Sequence, residues 1–210
     1  MSPPNNTPAE PPAKKLKTDS AGEDERPQDH AHKQDKNFTE GEDGKLDDFP
    51  HLLPYENKEP NFEVKYEAHC HCGAVRYEVN SEPVASVCCH CDTCRVTHGA
   101  TSQRAILFKK DMVRFDSDSF DSLAFYQTHD KKVGRHLPCK VRCKTCGTPI
   151  ADEGRNMMLC YPALFVHPED KEPESWQPTD HIFYKQAKLS IERKEGVTFW
   201  EGAKEKSPKM

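Results

Sequence analysis

The chain has 210 residues, 34% hydrophobic and 31% charged, with a formal net charge of −5; this length allows one or two domains. Residues 1–60 hold 9 of the 17 prolines, none of the 10 cysteines, and 14 acidic against 8 basic residues, which leaves residues 61–210 close to neutral. No run approaches the ~18 apolar residues a membrane span needs, and the first residues lack the basic start and apolar stretch of a secretory signal.

Residues 1–60 are too polar to bury apolar surface against the entropy of ordering, so they are expected to form a disordered acidic, proline-rich arm. Within it, Lys14, Lys15 and Lys17 form an exposed basic patch framed by Pro11, Pro12 and Asp19. That patch resembles a short signal for a nuclear import receptor, against the plainer reading of a solvated lysine cluster. The expected location is therefore the cytoplasm, with the nucleus as the option this patch opens. A calcium loop starting at Asp35 fails, because Glu40 stands where a glycine must turn the chain and Leu46 where a bidentate acid is needed.

From Asn61 the pattern becomes period two. Val64–Ala68 and Val75–Val79 read as a hairpin around Cys70-His71-Cys72-Gly73, and Pro83–Cys88 as a third strand. After the second cysteine cluster only a short helical turn following Asp92-Thr93 is expected. Ala100–Phe108, Leu123–Thr128, Gly134–Leu137, Asn156–Phe165 and His181–Tyr184 read as further strands, parted by Asp, Ser, Pro and Gly clusters. The expected fold is an all-β, zinc-bound module of short antiparallel strands over residues 61–200, with 201–210 a frayed tail.

Three cysteine clusters carry the chemistry: Cys70-x-Cys72, Cys89-x-Cys91-x2-Cys94, and Cys143-x2-Cys146-Gly147. A disulfide framework fits poorly, since no secretion signal is present and Cys-x-Cys pairs are badly placed to bridge. Zinc suits such spacings, which bring two sulfurs within about 4 Å. Seven thiolates divide into four and three. The economical partition makes Cys70, Cys72, Cys143 and Cys146 a closed structural site. Cys89, Cys91 and Cys94 then surround a second zinc whose fourth position is open to water or substrate. The alternative fills that position with Cys88, His90, His98, Cys139 or Cys160 and makes the second site structural too.

The same segments, Cys70-His71-Cys72-Gly73-Ala74-Val75-Arg76-Tyr77, Cys89-His90-Cys91-Asp92-Thr93-Cys94-Arg95 and Cys143-Lys144-Thr145-Cys146-Gly147-Thr148-Pro149, resemble the glutathione-dependent formaldehyde-activating enzyme family, which includes centromere protein V. The resemblance spans about residues 62–200. It implies a small β fold, two Zn²⁺ ions in the partition above, and a carbon–sulfur lyase that interconverts glutathione plus formaldehyde with S-(hydroxymethyl)glutathione. A small thiol and an aldehyde are the implied partners.

Three thiolates around Zn²⁺ sum to −1, and an added substrate thiolate makes this −2, so a cation is expected nearby. Arg95 is the first candidate, with Arg104 and Arg76 more distant ones, and His98 is placed to relay a proton. Cys88, Cys139 and Cys160 have no assigned role. The loop Pro168–Pro178, with Trp176, is a candidate cleft wall. The competing reading is a zinc-stapled, non-catalytic binding module, with the nucleus as an option for its location. Nucleic acid is a poor partner for it, since Lys131, Lys132, Arg135, Arg142 and Lys144 make only a modest basic patch.

Overall fold

A computed structural model describes residues 53–57, 59–167 and 171–210. The basic patch Lys14–Lys17 and most of the acidic arm lie outside the described residues.

Short alternating segments pair into two sheets. The first is three-stranded, in the order β1 (Tyr66–His69), β2 (Arg76–Val79), β5 (Val113–Phe115). The second has nine strands: β12 (Thr198–Phe199), β11 (Asp180–Ile182), β3 (Ala85–Cys89), β4 (Gln103–Lys109), β10 (Met157–Cys160), β9 (Pro149–Glu153), β8 (Cys139–Cys143), β6 (Leu123–Gln127) and β7 (Lys132–Val133). One short α-helix, α1 (Asp92–His98), joins β3 to β4. The molecule is thus mostly β, and among the described residues no helix is long and apolar enough to cross a membrane.

Strand period two gives the large sheet two different faces. Ile106, Phe108, Val141, Met158, Cys160, Leu123 and Phe125 point to one side and meet Ala68, Val75, Tyr77, Val79 and Phe115 from the small sheet in a single core. Their neighbours in sequence point outward. The registers Lys140↔Asp152, Asp152↔Leu159, Leu159↔Leu107 and Cys89↔Gln103 line these outward residues up across four strand boundaries.

Several sequence-based expectations change. The sheet is not purely antiparallel: β11 runs parallel to both β3 and β12. Long connections precede β11 and β12, and a parallel neighbour needs a crossover of that kind. Gly134–Leu137 is not a strand; the strands there are β7 before it and β8 after it. Strands β5, β8, β9 and β12 were not expected, and α1 extends to two turns. At Pro162 the long expected strand gives way to a 3-10 turn, Pro162–Leu164.

Both ends of the module reach further than composition suggests. Tyr55, nominally in the arm, is buried, packs on Phe115 and Phe125, and donates to Glu153 Oε2 at 2.9 Å. Glu153 is fully buried and also receives Lys110 and Arg135, so Tyr55 completes an interior cluster of charge. At the other end, residues 201–210 fold back rather than fray: Trp200 bridges Lys209, and Met210 N–H donates to Phe199 O at 2.9 Å.

Candidate active site

The four-thiol cluster sits where β1 ends and β8 ends. Each contributes a turn of the same design. Cys70 and Cys143 are buried at the strand ends, and the following glycines, Gly73 and Gly147, both adopt φ +75°. That left-handed backbone lets Gly73 N–H and Gly147 N–H turn back onto Cys70 O and Cys143 O, each at 3.0 Å, and aims amides at the sulfurs. Val75 N–H donates to Cys70 Sγ at 3.3 Å. Cys70 and Cys72 sulfurs are 3.5 Å apart and Cys72 and Cys143 sulfurs 3.8 Å apart. All four, with Cys146, lie within 4.8 Å of one another. These separations match the about 4 Å edge of a tetrahedron of thiolates around one metal ion. Thr148, hydrogen-bonded to Cys146 Sγ, pulls that thiol down to about 5, so one donor is already ionised at neutral pH.

The three-thiol cluster forms at the other end of the sheet. Cys89 ends β3 on its outward face, Cys91 is the N-cap of α1, and Cys94 lies in the first turn. Cys91 Sγ accepts from Cys94 N–H at 3.3 Å, which places a thiolate at the positive end of a short helix. The three sulfurs lie within 4.8 Å of one another. Hydrogen bonds from Cys89 and Cys94 hold Cys91 ionised, with its pKa down to about 2, while Cys89 is pushed far up by the same sharing. This donor set also fits a thiolate-seeking metal ion.

Beside these three sulfurs lies an array that strand register assembles. Lys140 Nζ donates to Cys94 Sγ at 3.5 Å, to Asp152 Oδ2 at 2.7 Å and to Gln103 Oε1 at 3.1 Å. Tyr161 OH donates to Asp152 Oδ1 at 2.6 Å and lies 3.3 Å from His98 Nε2, which is itself 3.5 Å from Lys140 Nζ. Burial works against the Lys140 ammonium, but Asp152 and the Cys94 sulfur outweigh it and raise its pKa above the ordinary lysine value. Burial and then Asp152 push the Tyr161 phenol well up. Burial and then Lys140 push His98 down, so its imidazole is neutral at neutral pH.

The structure places the expected residues as follows. Cys70, Cys72, Cys143 and Cys146 come together, as do Cys89, Cys91 and Cys94. His98 stands at the three-thiol cluster through Lys140 and Tyr161. Arg95 instead bonds the Asp92 carboxylate and His90 O, Arg104 pairs with Glu172 of the acidic loop, and Arg76 donates to Gly73 O. The cation in contact with a thiol is Lys140. Cys139 and Cys160 point into the core, beside Glu153 and Tyr77. Cys88 groups with His90 and His181 on the inward side. His90 Nε2 and His181 Nδ1 are 2.9 Å apart with ring planes 22° from parallel, so one ring nitrogen donates and the other accepts.

Lys140, Asp152, Tyr161 and Gln103 were missed by sequence reasoning. The one signal available was the alternation Cys139-Lys140-Val141-Arg142-Cys143, which makes Lys140 and Arg142 share a face.

The chain resembles, at 24% identity, a Rhodobacter sphaeroides protein of known crystal structure; the match covers 50% of this chain and 93% of that one, with a TM-score of 0.39. No curated protein matches the chain. Residues 65–186 match the model of the glutathione-dependent formaldehyde-activating enzyme family, a span that holds all seven clustered cysteines together with Lys140, Asp152 and Tyr161. The chain therefore belongs to the glutathione-dependent formaldehyde-activating enzyme family.

Proposed function

We propose that the protein is a zinc-dependent carbon–sulfur lyase that interconverts S-(hydroxymethyl)glutathione with glutathione and formaldehyde. In this reading Cys70, Cys72, Cys143 and Cys146 hold a structural Zn²⁺. Cys89, Cys91 and Cys94 hold a second, which, when bound, supplies the positive charge that keeps a thiol ionised near neutral pH. The observation that carries the reading is the asymmetry between the two clusters: only the three-thiol set is flanked by an amine, a carboxylate, a phenol and an imidazole in hydrogen-bond sequence.

The chain's own residues divide the work. Lys140 offsets the negative charge of three thiolates and an incoming fourth. In the synthetic direction the neutral imidazole of His98 takes the thiol proton. The sulfur pair attacks the aldehyde carbon, the carbon–oxygen π pair moves onto oxygen, and the Tyr161–His98 pair returns a proton to that oxygen. No net proton is lost. Asp152 fixes both Lys140 and Tyr161, holding the donors where charge develops. Breakdown of the adduct runs these movements in reverse.

Metal analysis on the purified protein tests the assignment, together with NMR exchange between formaldehyde and glutathione. Two zinc ions per chain are expected. Cys89→Ser should lower the count to one and abolish catalysed exchange while the circular dichroism stays native, whereas Cys143→Ser should unfold the module. A Cys89→Ser protein as unfolded as Cys143→Ser would make both sites structural and remove the reading. Exchange by the wild type no faster than background would remove this thiol–aldehyde pair as substrates.

A further inference from the structure

We propose that Arg142 binds a carboxylate of the thiol substrate, so that the site selects thiols carrying an acid group several bonds from the sulfur. The inference deepens the lyase reading and rests on it for the identity of the reacting sulfur.

Arg142 stands on the outward face of β8, two residues from Lys140, and the unbroken pairing of β8 with β6 keeps both residues on that face. Two residues along a strand is about 7 Å. From a sulfur near Cys94, which touches Lys140, that offset suits a ligand whose acid group is separated from its sulfur by a short backbone. The cations nearest the cluster are already committed: Lys140 to Asp152 and Arg95 to Asp92. Arg142 is exposed and has no hydrogen-bond or ion-pair partner among the described residues. Its charge nevertheless reaches the site, since it is one of the groups that disfavour the imidazolium of His98.

The surface beside it suits a ligand stem. Tyr126 of β6 pairs across from Lys140 and, on its other side, from Val133 of β7, so the same face carries a half-buried phenol ring and an isopropyl group that is 88% exposed. A guanidinium with five donors matches a carboxylate in two-point contact, which a lysine cannot reproduce. Lys140 therefore stands at a corner, with Arg142 two residues further along β8 and the apolar surface of Tyr126 and Val133 beside it on the side away from β9.

The test uses the full zinc-loaded protein and two probes. The first is formaldehyde exchange measured by NMR with glutathione and with glutathione diethyl ester. The second is calorimetric binding of S-methylglutathione, which has the carboxylates but no free thiol. Arg142→Gln is expected to lower the acid-over-ester ratio of kcat/KM about tenfold and to weaken S-methylglutathione binding by a similar factor. Arg142→Lys should recover only part of this. Lys132→Gln, an equal loss of charge on the neighbouring β7, should leave the ratio as it is. Equal losses for acid and ester, or S-methylglutathione binding that is absent or insensitive to Arg142→Gln, would overturn the proposal. If the wild type turns over neither thiol yet binds S-methylglutathione through Arg142, the lyase reading falls and the carboxylate anchor stands.

Discussion

Lys140 shows how one side chain can set the character of a thiol cluster. A buried ammonium is unfavourable alone, and here it is held by one carboxylate, one amide and one sulfur. Lys140→Met keeps the aliphatic stem and removes the charge, leaving Asp152 and Cys94 without their shared cation. Because Asp152 is partly exposed, water recovers some of the loss, and destabilisation of about 1–3 kcal/mol is expected in urea unfolding with metal content held constant. Adding Asp152→Asn should restore part of it, which a purely local packing defect would not allow. The seven cysteines were legible from the sequence because they fall in three short-spaced runs. Lys140, Asp152, Tyr161 and Gln103 lie 9 to 58 positions apart and become neighbours only through register, which no single stretch of sequence displays.

At the scale of the element, the parallel pairing of β3 with β11 brings His90 and His181 together. His181 also stacks on Phe199 of β12 at 4.6 Å. Burial, then the neighbouring His181, push His90 from the ordinary 6.5 down to about 4. The folded state therefore binds fewer protons than the unfolded chain between these values. Stability attributable to His90 is full above about pH 6.5, declines as pH falls toward 4, and changes no further below that. Imidazole NMR spectra should show His90 neutral at pH 5.5. The fall in urea midpoint from pH 7 to pH 5 should be shallower in His90→Gln than in the wild type. The period-two hairpin of β1 and β2 and the strand leading into Cys89 were legible because their apolar residues alternate cleanly. Strand β8 was not, since two of its three inward positions are cysteines, Cys139 and Cys143, that read as ligands before they read as core. Parallel β11 was hidden for another reason: direction of pairing depends on the path of a long connection, not on the three residues that pair.

For the whole molecule, the boundary between arm and module is a physical one. Composition puts it near residue 60, because proline and acid dominate up to that point. A single aromatic overrides this: Tyr55 inserts among Phe115, Phe120 and Phe125 and gives buried Glu153 a neutral donor beside Arg135 and Lys110. Asn57 adds side-chain bonds to Asp111 O and Val113 O. Deleting residues 1–58 should therefore lower the unfolding midpoint relative to deleting residues 1–52. Tyr55→Ala in the full chain should reproduce most of the difference, about 3–5 kcal/mol by urea denaturation. Tyr55→Phe, which loses only the hydroxyl, should account for about 1–2 kcal/mol.

The pairing of β8 with β9 has a consequence for how such a chain can vary. Cys139↔Glu153 faces the interior and Lys140↔Asp152 faces outward, so two adjacent rungs of one ladder serve a buried charge cluster and the face beside the three-thiol cluster. Inserting or deleting one residue between them would exchange the rungs, exposing the carboxylate that Arg135 and Tyr55 require and burying the one that Lys140 requires. The irregularity between Val141 and Arg142, where Ile150 has no partner, already absorbs one residue on the turn side of these rungs, so an odd change in length should be tolerated there and not at the rungs themselves.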